Sequence, residues 1–223
     1  IRIHDNLFTH DTAKLESLAD QIEERIYNLN LSVYARIDTL NEKTLFSMAR
    51  AGVKWIGIGI ESVRNIKNRK AIETIKMIQG CGMYTCANYM FGLPEDNFQS
   101  MQETMALALE LNTEFANFYS CMAYPGSPLY NKIAMEESSR LPLTWEGYSQ
   151  HGYETYPLSN NNLLAKEILA FRDKAFHTYF SNEKYLNMID NKFGQKVVKH
   201  IRDITKIKLE RRLLLEEKGN CII

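Results

Sequence analysis

The chain has 223 residues, 45% hydrophobic and 24% charged, which supplies a sizeable core. Its 27 basic residues balance its 27 acidic ones, so charge argues for neither a nucleic-acid partner nor a membrane surface. No apolar run is long enough to span a bilayer, and four dispersed cysteines do not make a secreted disulfide scaffold, so a reducing cytoplasm is the expected setting.

Residues 1–8 read as a strand ending in His4-Asp5-Asn6. Thr9 or Asp11 then caps a helix whose apolar stripe is Leu15, Leu18, Ala19, Ile22 and Ile26. Residues 31–38 form a second strand, apolar until Arg36 and Asp38, and Asn41 caps a short helix that Gly52 ends. The third strand, WIGIGIES, alternates glycine with isoleucine and stops abruptly at Glu61 and Ser62. Its glycines strip side chains from one face, as happens where a ligand or another backbone approaches. A helix with Ile72, Ile75 and Ile78 follows. The fourth strand, 84–91, breaks at Gly92-Leu93-Pro94, and the next helix buries Phe98, Met101, Met105, Ala108 and Leu111. The fifth strand, 115–123, ends at Tyr124-Pro125-Gly126, and Ser127-Pro128 opens another helix.

Strict alternation of strand and helix implies parallel strands joined by right-handed crossovers. The expected fold is α/β: a partial TIM-like (β/α) barrel with about five parallel strands, over residues 1–139. Residues 140–223 read as a helical extension. Its first helix spans 163–180 with Leu164, Ile168, Phe171, Ala175 and Tyr179 on one face, and it closes in a charged, frayed tail. Every strand ends in polar, glycine or proline residues, and in such folds ligands sit at the carboxyl ends of the strands. Turn chemistry explains the glycines and prolines. It explains Asp5, Arg36, Asp38 and Glu61 less well, because charges at neighbouring strand tips crowd one another.

Other chemistries find little support. The cysteines have no zinc spacing and read as buried and inert, and the histidines have no metal-binding spacing. There is no nucleophile elbow and no Walker loop. Charges at apposed strand tips suit a zwitterion: arginine holds a carboxylate by a bidentate pair, and Asp or Glu holds an ammonium or a ribose diol.

The motifs HDNLFTHD, YARID, GIGIES, NYMFGLPED and AYPGSPLY resemble, in that order, the successive strand-end motifs of radical S-adenosylmethionine (SAM) enzymes. The resemblance is greatest to the branch that often carries a cobalamin-binding domain, and it continues through WEGYSQHGYETYPL and FRDKAFHTYF. It implies a [4Fe-4S] cluster that reduces SAM, with cobalamin as an optional further cofactor. It implies Asp5 and Asn6 at the methionine amino group and Arg36 near the carboxylate, with Asp38 a further cofactor-binding residue. Glu61 and Ser62 fall at the ribose, and Met90, Gly92 and Leu93 at the adenine. Tyr124, Trp145 and Tyr148 would face a small-molecule substrate.

Two departures accompany the resemblance. The CxxxCxxC loop that holds the family's cluster is absent, so the cluster ligands are expected upstream of Ile1 and the piece as given is expected to be inactive and to bind no metal. The segment between Glu61 and Ala71 is shorter than is usual in the family. The expected parent is a methyltransferase or an oxidoreductase. A partial-barrel enzyme using Asp5, Asp38 and Glu61 in acid–base chemistry, or a binding module without a cluster, remains open as an alternative. With the family's first strand missing, residues 1–6 are an uncovered edge, so self-association through it is expected.

Overall fold

The structure is a computed structural model that describes residues 1–5, 8–64 and 68–215. Its sheet has the strand order β1-β2-β3-β4, with β1 (Leu31–Ala35), β2 (Val53–Glu61), β3 (Tyr84–Phe91) and β4 (Phe115–Ser120). β1 with β2 and β2 with β3 pair in parallel. Sequence order therefore equals spatial order, as helical crossovers in one direction produce. The chain divides into two compact units, Ile1–Tyr89 with Ala106–Asn117 and Met90–Met105 with Phe118–Ile223, so β3, β4 and one helix contribute residues to each.

In the first unit, Asp11 caps α1 (Thr12–Glu24) by accepting from the Lys14 amide at 3.1 Å. Asn41 and Thr44 form a reciprocal capping box on α2 (Glu42–Arg50), which satisfies two amide donors that the first turn leaves open. Ala19, Ile22 and Ala51 join the two helices in one buried cluster. At its rim, Arg50 donates to Asp20 and Glu23. α3 (Asn68–Gly80) buries Ala71, Ile75 and Ile78. Ile26 departs from the expected stripe: α1 ends at Glu24, and a left-handed φ of 54° turns Ile26 into solvent. The first expected strand is reduced to one parallel bridge, Arg2 to Ser32, because exposed His4 and Asp5 continue no apolar pattern.

In the second unit, the core is aromatic. Phe91 stacks on Phe118 at 5.9 Å, Phe171 meets Phe91 edge-on at 4.9 Å, and Tyr179 packs on Phe118 and Tyr185. It is built on α5 (Pro128–Glu136), α6 (Ala165–Phe180), α7 (Glu183–Phe193), α8 (Gln195–Thr205) and α9 (Arg212–Leu215), with the start of α4 (Phe98–Leu111). Three expectations change here. Phe98 heads α4 and is exposed, touching Phe171 only by its edge at 5.6 Å. Leu164 stands at the cap of α6 rather than on its apolar face, and Leu163 is buried in its place. β4 stops at Ser120, not at Ala123, because the Gln150 side-chain amide takes both Ser120 backbone groups, each at 2.9 Å. Beyond it, Cys121 still donates to the Phe91 carbonyl at 2.8 Å, while its own carbonyl accepts from the Leu158 amide at 3.0 Å.

Candidate functional site

The first unit gathers charge at the carboxyl ends of its strands. Arg36 directly follows β1, and the next residues form a short 3-10 turn, Ile37–Thr39. This turn brings Asp38 back onto Arg36 as a bidentate pair, Nε to Oδ1 at 3.0 Å and Nη2 to Oδ2 at 2.7 Å. Both side chains are mostly exposed. The Arg36 hydrogen bond holds the Asp38 carboxyl below its usual range. Glu61 ends β2 with φ at 60°, just after an irregularity in the β2–β3 register. Such a conformation is rare for a residue with a side chain, and here the Glu61 side chain lies back over Gly59. Ser62 is buried beside it, and its hydroxyl accepts from the Arg64 amide at 3.3 Å. Asp5 is exposed and lines a shallow cleft with Phe8, His10 and Lys14. Asn6, expected at the same site, lies outside the described residues, as does Cys221.

The two glycines of β2 do different work. A Cβ on Gly57 would stand 2.6 Å from the Tyr34 ring, so this glycine makes room for a neighbour already present. A Cβ on Gly59 would meet only the Glu61 side chain, at 3.5 Å and beyond. The Glu61 side chain itself therefore lies over Gly59, at ordinary van der Waals distance.

Sequence reasoning missed a polar row on the half-buried face of this unit. Asn117 Nδ2 donates to Asn88 Oδ1 at 2.9 Å and to Cys86 Sγ at 3.3 Å, and Asn88 Nδ2 donates to the Ile58 carbonyl at 3.1 Å. The alternation of β3 carries the signal, since Asn88 falls on the face opposite buried Ala87 and Tyr89.

In the second unit, the break after β3 is a loop built around Asp96. This carboxylate is buried and accepts from the amides of Gly92 (3.1 Å) and Leu93 (2.9 Å) and from Ser100 Oγ (2.7 Å). Asn160 and Asn162 bind the carbonyls on the outer side. The Gly92 and Leu93 amides are therefore engaged, and Met90 offers a half-buried apolar side chain. Gly92 has φ at 81°, and a Cβ there would lie 2.6 Å from Ile168, so no other residue fits without strain. Tyr124, Trp145 and Tyr148 form an open aromatic row with centroids 6.1 Å apart at each step, and Gln150 donates to the Tyr124 hydroxyl. Burial pushes the Tyr148 hydroxyl up.

The same unit holds an ion network in the tail expected to fray. Arg211 is fully buried and donates five hydrogen bonds: two to Asp173 and one each to the Gly152 carbonyl, Thr155 Oγ1 and the Gln150 carbonyl. Arg172 binds Asp173, the Phe118 carbonyl and His151 Nδ1. The signal for Arg172 is its spacing, since it falls between Ile168 and Ala175 on the buried stripe of α6.

Among the described residues, no three His, Cys, Asp or Glu side chains come together as metal ligands would. Cys81 is exposed rather than buried, because it follows the end of α3. Cys86 and Cys121 are covered, and burial pushes each thiol up to about 11. No helix among the described residues is long and apolar enough to cross a membrane.

Parallel strands, helical crossovers and charge collected at strand carboxyl ends define a parallel α/β protein with a helical C-terminal part. No family model matches the sequence. The chain is 22% identical over 158 residues to an uncharacterised methyltransferase of Pyrococcus horikoshii, covering 67% of this chain and 34% of that protein. It is 29% identical over 124 residues to biotin synthase of Persephonella marina, covering 52% and 37%. It is 24% identical over 173 residues to the heme chaperone HemW of Bacillus subtilis, covering 69% and 44%. The chain thus spans about a third to under half the length of these relatives. Its fold matches the radical S-adenosylmethionine methyltransferase TsrM of Kitasatospora setae, solved with cobalamin and a [4Fe-4S] cluster bound. That match has a TM-score of 0.56 at 16% identity and covers 61% of this chain and 30% of TsrM. The chain is thus similar in sequence to these proteins, and its fold is similar to that of a radical SAM methyltransferase.

Proposed function

We propose that the chain is part of a radical SAM methyltransferase, cobalamin-dependent and cytoplasmic, that acts on a small molecule. The observation that carries this reading is the end of β2: Glu61 is held in a left-handed conformation, exposed, with its side chain over Gly59, which has none of its own. An exposed carboxylate at a strand end suits a ribose diol, which donates two hydrogen bonds to one acceptor. The Arg36 guanidinium is exposed and pairs a carboxylate by two parallel bonds, as it already does with Asp38. Exchange of Asp38 for the methionine carboxylate of SAM keeps that geometry and frees Asp38 for the ammonium group, together with Asp5 and Asn6. Ser62 buttresses the turn under Glu61. In the second unit, taken by itself, Asp96 fixes the Gly92–Leu93 loop, and Met90 offers a half-buried apolar side chain. Tyr124, Trp145 and Tyr148 offer π-faces to a substrate.

A [4Fe-4S] cluster supplies, when bound, the electron that cleaves SAM reductively. The described residues do not fit such a cluster, which needs several thiolates at one place, and its ligands come from elsewhere in the gene product. We assign residues 1–139 to the barrel part and 140–223 to the helical extension. Self-association along residues 1–3 belongs to the same reading, with light scattering against concentration as its check.

The test is anaerobic reconstitution of the whole gene product with iron and sulfide, followed by SAM and a reductant. The expected result is broad visible absorption with formation of 5′-deoxyadenosine or a methylated product. A colourless protein that leaves SAM intact overturns the reading in favour of acid–base chemistry or a binding module.

A further inference from the structure

The helices of the second unit enclose a feature that the strand-end residues do not use. A cavity of about 360 Å³ lies between α6, the end of α8 and the extended segment 206–211. That volume falls in the range of small-ligand sites, ~300–1,000 Å³. Its walls are of two kinds. Phe176, Ile204, Ile207, Leu209 and Leu214 make an apolar wall. Ile207, Lys208 and Leu209, from the segment that follows α8, all line it. Ile207 is nonetheless 63% exposed. An aliphatic wall left wet beside a space of ligand size is an unfilled contact.

The other wall is cationic. Arg172, Lys174 and Lys208 line it with a single carboxylate, Asp173. That carboxylate is already engaged, since its oxygens accept from Arg172 and twice from Arg211. Three lining cations, Arg172, Lys174 and Lys208, thus stand against one lining anion, an excess of two positive charges, and Arg211 pairs with that anion from outside the lining. His151 adds direction. Arg172 Nη2 lies 3.1 Å from His151 Nδ1, and a guanidinium only donates, so Nδ1 accepts and the ring proton resides on Nε2. Burial and the two arginines disfavour the charged ring, so His151 offers the cavity a neutral N–H donor.

We infer that this cavity binds an amphipathic carboxylate of medium length. Its hydrocarbon chain lies against Phe176, Ile207 and Leu209, and its carboxylate lies among Lys174, Lys208 and the His151 Nε2–H. The geometry also indicates what binding does. The amides of Lys208, Leu209 and Glu210 donate to no described group, and the segment is fastened only by the turn at its start and by Arg211 at its end. A segment held at two points opens locally at little cost, and a ligand beneath it lowers that opening.

The experiment is calorimetric titration of octanoate into the 223-residue chain, beside 1-octanol, octylammonium and acetate. Octanoate is expected to bind saturably at one site, and the other three at least tenfold more weakly. Lys174→Glu and Lys208→Glu are each expected to weaken octanoate about fivefold, the scale of a partly exposed ion pair. Both lysines are exposed, so the variants keep the unfolding midpoint of the parent chain, and a lost signal is a lost site rather than a lost fold. Hydrogen exchange of the 208–210 amides slows with octanoate. Equal binding of octanoate and octanol, indifference to both lysine variants, or no heat at millimolar octanoate overturns the inference.

Discussion

The charged side chains of the two units are held in opposite ways. In the first unit, Arg36 and Asp38 pair on the surface, and Asp5 and Glu61 stand exposed at strand ends. In the second unit, Arg211 and Asp96 are almost wholly buried and each is satisfied several times over, Arg211 by five bonds and Asp96 by three accepted ones. A charge that water still reaches is cheap to keep and accessible to a ligand. A charge withdrawn from water survives only with its partners in place, so it holds structure. Charge alone therefore does not separate the two roles; under the proposed function, exposure near the carboxyl end of a strand does.

The comparison breaks most visibly at Arg211. Arg211→Ala leaves Asp173 with one arginine and strips donors from two carbonyls and a hydroxyl. It is expected to cost about 3–5 kcal/mol in urea unfolding of the chain. A loss near zero would mean that the tail does fray, as its composition suggests.

Next come the loop residues. Asp96→Ala orphans the Gly92 and Leu93 amides, and Gly92→Ala drives a methyl into Ile168 at a positive φ. Each is expected to cost about 2–3 kcal/mol, read from the same unfolding curves. Gly59→Ala sharpens the contrast, because a methyl there meets only the Glu61 side chain at ordinary contact distance, which predicts a change within about 0.5 kcal/mol. Comparable losses at Gly59 and Gly92 would show that the two glycines are not different in kind.

The smallest effect concerns pH. Burial, then Arg172 and Arg211, hold His151 below its ordinary value of 6.5. The unfolded chain then takes up the proton first. The contribution is full above pH 6.5 and is lost as pH falls from there towards the folded value. The thermal midpoint is expected to drop slightly below pH 6.5, with a shallower drop in His151→Gln.

The alternation of elements was legible because each apolar stripe is local: α2, α3 and β3 follow from spacing and caps within a dozen residues. Strand ends were less legible: Glu61 does end β2, but β1 stops at Ala35 before Arg36 and Asp38, and Asp5 follows a single bridge rather than a strand. What sequence hid depends on partners distant along the chain. Gln150 ends β4 from 30 residues away, and Arg211 reaches Asp173 across 38. Nothing in KIKLERRLLLEEKG separates the buried arginine from its exposed neighbour Arg212, which pairs with Glu154 at the surface. Ile26 and Leu164 failed because a stripe was extended past a helix end, where side chains no longer follow the helical period. Gly57 and Gly59 look alike in sequence, and only Tyr34, from the neighbouring strand, tells them apart.

The measurement that tests the account most directly is equilibrium binding of SAM to the reconstituted gene product. Wild type would be compared with the double variant Arg36→Ala/Glu61→Gln, and the unfolding midpoint recorded for each. Exposed strand-end charges that serve a ligand predict at least a tenfold loss of SAM affinity with an unchanged midpoint. Unchanged affinity, or a midpoint that falls as it does for Arg211→Ala, would contradict the division between charges that bind and charges that hold the fold.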